Sequence, residues 1–368
     1  MTELLDFYST NSLAWEQLNY ENGEIMNLHY GLIHKGLPTL VDLEKECLPF
    51  INHNSVPKNY YLCQNGDVAF ADASEDTNDV AKIIEFKNCA DRKVVCGLHT
   101  IHGRDKSDVT AIGFKGYAFS SDSFHKQIRR IAQGTKIYSI NTKNFNETFI
   151  GIPSKEEQSK IARLLSLLDQ RISTQNKIIE DFKKLMSAIY QNVFCRNEAN
   201  VVSLGDICSI VKGQQLNGDS LSKNGDYYVM NGGMSPSGYY SAYNNEPNTI
   251  SISEGGNSCG YVQFNNERFW SSGHCYSLKN IISDTNPIYL YNYLKYRENS
   301  IMKLRIGSGL PNIQKKDLSA FKIFLPNKER QKQLVSIFTS VDTKYSVEKL
   351  LLSEYVNQKL FLLQQMFI

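Results

Sequence analysis

The stretch from residue 151 to residue 194 recurs in the chain at a fixed offset of 173 residues. Five residues of the first copy align without a gap with identical residues of the second. The aligned pairs are Pro153 with Pro326, Gln158 with Gln331, Asp169 with Asp342, Gln191 with Gln364, and Phe194 with Phe367. A duplication of this kind makes the chain two copies of one unit. We predict that each unit is a variable globular part, or head, followed by a long helix.

Composition is that of an ordinary folded protein, with 41 % hydrophobic and 21 % charged residues. The chain contains no long apolar run and does not begin with a basic segment and an apolar core. We therefore expect neither a membrane span nor a signal peptide. The eight cysteines include no C-x-x-C pair and lie near no histidine pair at ligand spacing. The sequence thus predicts no metal site and a set of reduced thiols in the cytoplasm.

The net charge is only +2, but basic residues cluster near the end of each head. Six basic and two acidic residues lie between Lys115 and Gly151. Between Lys303 and Lys322 there are five basic residues and a single acidic one, Asp317. Because the bias appears in both copies, contact with nucleic acid and a merely solvated charged face are equal alternatives.

The two predicted helices carry apolar residues at alternating steps of four and three, a period of 3.5 residues. Such a seam is typical of a coiled coil. The seam of the first helix comprises Ile161, Leu165, Leu168, Ile172, Ile179, Phe182, Met186 and Ile189. The weaker seam of the second comprises Leu334, Phe338, Val341, Tyr345, Leu352, Tyr355, Leu362 and Met366, with Lys359 as a polar interruption.

Polar residues mark the start and the middle of both helices. Ser154 and Glu157 form a capping-box pattern at the start of the first helix, while the second start keeps the N-cap residue Asn327. Gln175 and Glu348 occupy the same repeat position in the two seams. A polar seam residue can fix the register of two helices, or it can mark a level that is open to water.

Connectivity predicts that the two helices run antiparallel, with one head at each end and a pseudo-two-fold relation between the copies. A helix of some forty residues spans roughly 60 Å. The heads show many short strands with turn signals and a few helices, so the fold class is α/β (α+β). The predicted segments are residues 1–152, 153–198, 199–324 and 325–368: head, helix, head, helix.

The sequence of residues 152–172, IPSKEEQSKIARLLSLLDQRI, resembles the conserved spacer helix of type I restriction-modification specificity subunits. Residues 325–331, LPNKERQ, begin a segment that is similar to the distal helix of that family. Leu204-Gly205-Asp206 resembles the usual opening of a target-recognition domain, and residues 307–313, GSGLPNI, resemble the loop before its last strand. The resemblance extends over the whole chain.

This resemblance implies a non-catalytic, DNA-reading subunit. Each head would read one half of a bipartite target in double-stranded DNA, and the helices would set the gap. Two methyltransferase subunits would dock on the chain, and restriction subunits can join them. The resemblance implies no cofactor on this chain and S-adenosylmethionine on the methyltransferase partner.

The motifs agree with that division of labour. The chain lacks a G-x-x-x-x-G-K-[ST] loop, a G-x-G-x-x-G after a strand, and the Asn-Pro-Pro-aromatic tetrapeptide expected of adenine methyltransferases. The glycine-rich stretch from Glu254 to Gly260 predicts a tight hairpin rather than a cofactor cradle. A metal-dependent nuclease built from His99, His102, His125 and nearby aspartates is a weak alternative, because the second copy has no matching set.

DNA contact is predicted for basic and amide side chains in the heads, with Arg and Lys anchoring phosphates and other groups reading base edges. Candidates for positioning are Arg129, Arg130, Lys136, Lys143, Lys303, Arg305, Lys315 and Lys316. Candidates for readout are His29, Lys35, Asn231, Ser235 and Tyr239. The alternative function is a two-headed interaction scaffold that does not bind nucleic acid.

Overall fold

A computed structural model describes residues 1, 3–194, 200–307 and 309–367, and the chain divides into two compact units. One unit combines Met1–Lys177 with Lys349–Ile368, and the other is Ile178–Glu348. Each unit therefore holds one head together with part of each long helix. The predicted segments end at the ends of the helices instead, and that division stays a prediction. Its boundary between residues 198 and 199 lies outside the described residues.

The first head is built on two larger sheets and a two-stranded sheet of β11 with β7. A five-stranded sheet has the order β1-β10-β6-β8-β4, and a four-stranded sheet has the order β2-β5-β3-β9. The strands are β1 Leu5–Tyr8, β2 Leu18–Asn19, β3 Met26–Leu28, β4 Leu40–Asp42, β5 Phe50–Ile51, β6 Val68–Ala71, β7 Ala73–Ser74, β8 Ile83–Lys87, β9 Val94–Cys96, β10 Thr100–Asp105 and β11 Tyr138–Ser139. The helices are α1 Tyr30–Lys35, α2 Phe114–Ala118 and α3 Asp122–Ile131. Most neighbours pair antiparallel, but β4 pairs with β8, and β3 with β9, in parallel.

The second head has three smaller sheets, with the orders β13-β19-β16-β17, β15-β14-β18 and β12-β20. Its strands are β12 Asn200–Ser203, β13 Ser209–Lys212, β14 Tyr227–Met230, β15 Gly238–Tyr240, β16 Thr249–Ser253, β17 Val262–Asn265, β18 Phe269–Ser271, β19 Cys275–Lys279 and β20 Lys322–Leu325. Its helices are α5 Leu204–Ile207, α6 Pro287–Tyr296, α7 Glu298–Met302 and α8 Lys315–Ser319. β12 and β20 pair antiparallel, so the strands on which the head begins and ends are neighbours.

The Leu-Gly-Asp motif has a local structural reason. Leu204 is fully buried in the core of the second head, and the Asp206 carboxylate accepts a 3.0 Å hydrogen bond from the Ser203 backbone N–H, which caps α5. A Cβ on Gly205 would lie 3.0 Å from the Ser319 Cβ, so a larger residue would have to push α8 away by a few tenths of an ångström.

The long helices are α4, Lys155–Phe194, and α9, Lys328–Met366. The predicted caps are confirmed. The Glu157 carboxylate accepts from the Ser154 backbone N–H at 3.2 Å, and the Glu157 N–H donates to the Ser154 hydroxyl at 3.3 Å. The Asn327 side chain accepts from the Arg330 N–H at 2.9 Å. Arg330 itself contacts Gln333, so the second start has one half of a capping box.

The helices run antiparallel within each unit, as predicted. In the first unit, Leu165 and Leu168 of α4 pack with Leu363 of α9. In the second unit, the Tyr190 and Phe338 rings lie 5.0 Å apart, centroid to centroid. Every predicted seam residue is buried or half-buried. The mixed sheets and the two long helices confirm the predicted fold class.

The two polar seam residues are each buried. Gln175 is 4 % exposed and Glu348 is 7 % exposed. Lys344, one turn before Glu348 on α9, lies 2.7 Å from its carboxylate. The alternative of a water-exposed level is therefore wrong, and a role in fixing register stays a prediction.

Membrane-spanning helices are absent from the described part of the chain, since none of its helices combines the required length with sufficient apolar character.

Candidate nucleic-acid interface

The basic segment of the first head is only partly available to a ligand. Lys115 is buried, and its Nζ lies 3.9 Å from both the Glu85 and the Asp105 carboxylates. Arg129 bonds to Asp122 at 3.2 Å and to the Asn78 side chain at 3.1 Å. Arg130, Lys136 and Lys143 are the exposed predicted candidates of this segment. The predicted phosphate anchor at Arg129 thus already holds α3 to its surroundings.

The basic segment of the second head is exposed throughout its predicted candidates. These are Lys303 and Arg305 after α7, and Lys315 and Lys316 at the start of α8. Within the part of the chain that the structure describes, none of these four side chains has a carboxylate within 4.0 Å. They can therefore neutralise phosphates without first giving up an ion pair.

The readout candidates of the first head differ from each other. His29 is buried at 3 % exposure, its Nδ1 accepts from the Gly31 N–H at 3.1 Å, and it therefore caps α1. Its ring lies 4.4 Å from that of Trp15. His29 is thus a structural residue, less suited to base contact than the sequence suggested. Lys35 is exposed, with its Nζ 5.5 Å above the Trp15 ring.

In the second head, Asn231 lines a cleft of about 590 Å³, while Ser235 and Tyr239 are exposed nearby in sequence. The cleft is lined by polar side chains and by backbone, including Lys212, Asn231, Glu254, Asn257, His274 and Asn312. Donors and acceptors are therefore both present, which is what a base edge requires.

Contacts around Glu254 shape this cleft. Its carboxylate lies 2.6 Å from the Lys212 Nζ and 3.4 Å from the His274 Nδ1. The Asn231 side chain accepts from the His274 backbone N–H at 3.3 Å. Gly256, with a φ of +79°, supports the predicted tight turn. Lys212, Glu254 and His274 were not among the predicted candidates, because their elements meet only in the folded sheet.

Two buried glutamines connect the heads to the helices. In the first unit, Gln158 donates to the carbonyls of Pro153 and Val109 at 2.8 and 3.2 Å, and accepts from the Ala111 N–H at 2.7 Å. Each contact involves backbone, so Gln158 fixes the first turn of α4 to the loop before α2.

The second unit repeats this arrangement at Gln331. Its amide donates to the carbonyls of Pro326 and Asp284 at 2.8 and 2.9 Å, and accepts from the Asn286 N–H at 2.7 Å. Both glutamines are 1 % exposed. The aligned glutamines therefore set the direction in which each long helix leaves its own head.

A buried carboxylate lies beside the same connection between head and helix in the first unit. Glu85 accepts hydrogen bonds of 2.7 Å from the Gly113 and Gly116 backbone N–H groups at α2. Burial raises the pKa of Glu85 to about 7, against the opposing effect of nearby Lys115. The backbone at α2 is therefore held by hydrogen bonds to a side chain that can ionise.

The three histidines of the weak nuclease alternative take up separate positions, and two of them pair with aspartates outside that alternative. His99 pairs with Asp72 at 3.1 Å, and His102 pairs with Asp67 at 2.7 Å in the core. Burial lowers the pKa of His125. Only His102 belongs to a group of three potential metal ligands among the described residues, and its companions there are two cysteines.

Comparison with known proteins identifies a family. The model of the type I restriction modification DNA specificity domain matches residues 42–184 and 197–356. A Mycoplasma genitalium protein named as a type I specificity subunit is 23 % identical over 351 residues, covering 88 % of this chain and 89 % of that protein. A Mycoplasma pneumoniae protein named in the same way is 30 % identical over 38 % of this chain and 37 % of its own length.

Two solved structures share the fold. The S subunit of a type I restriction-modification system from M. genitalium superposes with a TM-score of 0.67 at 19 % identity, covering 100 % of this chain and 94 % of that one. A structure concerned with complex assembly and conformational transition of the type I R-M system gives a TM-score of 0.57 at 19 % identity, with 88 % and 89 % covered.

Proposed function

Because the chain belongs to the type I restriction-modification DNA specificity family, its function is DNA recognition, and we propose that each head reads one half of a bipartite target in double-stranded DNA. The observation that carries the proposal is the double match of the family model, once to each copy of head and helix. Family membership also favours this function over the scaffold that does not bind nucleic acid.

The exposed basic residues of both heads are proposed to hold phosphates. Arg130, Lys136 and Lys143 would act in the first head, and four basic residues from Lys303 to Lys316 in the second. Such contacts fix the orientation of a head on the duplex, while base edges supply the sequence information. In the second head the cleft around Asn231 and His274 is the proposed place of readout.

The helices are proposed to set the gap between the half-sites and to dock two methyltransferase subunits. Exposed apolar residues at equivalent repeat positions support two such surfaces. Leu164 and its counterpart Ile337 are 41 % and 44 % exposed, and Ile178 and Leu351 are both 37 % exposed. Apolar side chains that stay exposed on a helix are suited to covering by a partner.

The remaining roles are assigned to partners. We propose that this chain is non-catalytic, that S-adenosylmethionine binds to the methyltransferase, and that restriction subunits can join the assembly. The lack of a phosphate loop and of an adenine-methyltransferase tetrapeptide in the sequence supports this division. We propose a cytoplasmic location as well, because the family acts in DNA recognition.

Co-expression with the methyltransferase subunit and mapping of methylated bases tests the function. One split motif should be methylated, and exchange of residues 1–152 for those of a relative should change only one half of it. Methylation that persists after deletion of this chain would contradict the proposal.

The phosphate contacts have their own test in the purified complex with the methyltransferase. Replacing Lys303 or Arg305 by alanine should reduce the slope of log affinity against log salt by about 1 for each residue. Lys223→Ala, at an exposed lysine of the same head outside the basic segment, is the control. Equal slopes in all three variants would show that Lys303 and Arg305 do not contact DNA phosphates.

A further inference from the structure

Three buried side chains from separate segments of the first head converge on one point. Cys63 follows a loop and Cys96 ends β9, and their Sγ atoms lie 3.6 Å apart. His102 lies in the middle of β10, and one potential ligand atom from each of the three residues falls within 4.8 Å of the others. Their exposures are 4 %, 2 % and 0 %.

The histidine is oriented by a carboxylate. The Nε2 of His102 lies 2.7 Å from the Asp67 carboxylate, which also accepts two hydrogen bonds from Arg104. The remaining ring nitrogen, Nδ1, is buried and has no hydrogen-bond partner in the described part of the chain. An unpaired buried nitrogen is costly, and a carboxylate on the opposite nitrogen is the usual support of a metal-binding histidine.

The donor set matches one metal in particular. Two thiolates and one imidazole suit Zn²⁺, and zinc–sulfur bonds of about 2.3 Å in a tetrahedron place two sulfurs roughly 3.8 Å apart. Two thiolates would neutralise the ion, while Asp67 is already balanced by Arg104 at 2.7 Å. Three protein ligands leave a fourth position that a water molecule can take.

We propose that Cys63, Cys96 and His102 bind a zinc ion in the first head. β9 belongs to the four-stranded sheet and β10 to the five-stranded sheet, so the ion would join the two larger sheets of the head. The sequence predicted no metal site because the three ligands come from segments without a local spacing pattern. The site differs from the proposed DNA contacts, and its failure would leave DNA recognition untouched.

Metal analysis of the full chain, purified with its methyltransferase under reducing conditions from zinc-supplied cells, tests the proposal. The complex should carry about one zinc ion per specificity chain in addition to any metal on the methyltransferase alone. Cobalt in place of zinc should give a thiolate-to-metal charge-transfer absorption. A metal-free complex that fails to take up either ion would overturn the proposal.

Variants assign the ligands. Cys63→Ser and Cys96→Ser should lose the ion and the cobalt absorption, and Asp67→Asn should weaken binding by roughly 10- to 100-fold. Cys208→Ser, at a buried thiol of the second unit, should retain the ion. If the serine variants do not fold, the number of thiols that can be labelled in the unmodified chain, with and without zinc, tests the site instead. Removal of zinc by a chelator should expose two more thiols, whereas a Cys63–Cys96 disulfide in the reduced preparation would refute the site.

Discussion

The Nζ of Lys359 lies 2.5 Å from Oδ1 of Asp169, and this ion pair joins α9 to α4 within the first unit. Tyr117 of the head donates a 2.9 Å hydrogen bond to the second carboxylate oxygen. In the second unit, Asp342 of α9 aligns with Asp169, and Met186 of α4 aligns with Lys359. Burial raises the pKa of Asp342. The aligned carboxylates thus differ: Asp169 has a charged partner in the first unit, and Asp342 has the apolar neighbour Met186 in the second.

The variant Lys359→Met should lower the free energy of unfolding by about 1–3 kcal/mol, because it leaves a half-buried carboxylate without its cation. Urea denaturation measures the change. Lys160→Met removes an exposed pair with Glu156 on the same helix, and should cost less than about 0.5 kcal/mol. Equal losses of unfolding free energy in the two variants would show that the Lys359–Asp169 pair stabilises the protein no more than an exposed pair does.

Gln158→Ala and Gln331→Ala should each destabilise their own unit by about 1–3 kcal/mol, because buried backbone groups lose their partners. Hydrogen exchange should accelerate at the Ala111 N–H in the first variant and at the Asn286 N–H in the second. Gln170→Ala, at an exposed position of α4, is the matched control. Unchanged exchange at both amides would argue against the joint described here.

Glu85→Gln should alter the pH dependence of stability. The folded pKa of about 7 exceeds the usual 4.5, so the folded state binds this proton more tightly than the unfolded state. The contribution of Glu85 is therefore complete below about pH 4.5 and is lost as the pH rises to about 7, a change of about 3 kcal/mol. Unfolding free energies across this range should fall more steeply with pH in the unmodified protein than in the variant. Parallel profiles would exclude a raised pKa.

Leu164→Glu and Ile337→Glu should weaken association with the methyltransferase subunit more than roughly tenfold, because each places a charge in a proposed apolar contact. Titration of the purified subunits measures the affinity, and both variants should keep the thermal midpoint because the positions are exposed. Gln170→Glu adds the same charge at a polar position of α4. Full affinity in both variants would show that the methyltransferase subunits do not dock at Leu164 and Ile337.

The sequence predicted the two long helices well because a 3.5-residue period persists over many turns, and because the capping signals of Ser154 and Asn327 are local. It could not predict the role of Gln158, whose loop partners lie 47 and 49 residues away. A charge count also could not show that Lys115 is buried. Local pattern therefore identified the helices, while long-range contacts determined the joints and the lining of the cleft.

Because β12 pairs antiparallel with β20, the size of the second head does not determine where the two long helices attach to it. Neighbouring strands lie about 4.8 Å apart, so the chain enters and leaves this head at almost the same place. Loops between residues 204 and 321 can lengthen, shorten or be exchanged while those two points keep their separation, except the loop at residues 284–286, whose backbone binds Gln331 of α9. If the second head reads one half of a target, as proposed above, a change of these loops would alter that half without moving the two strands that connect the head to the helices.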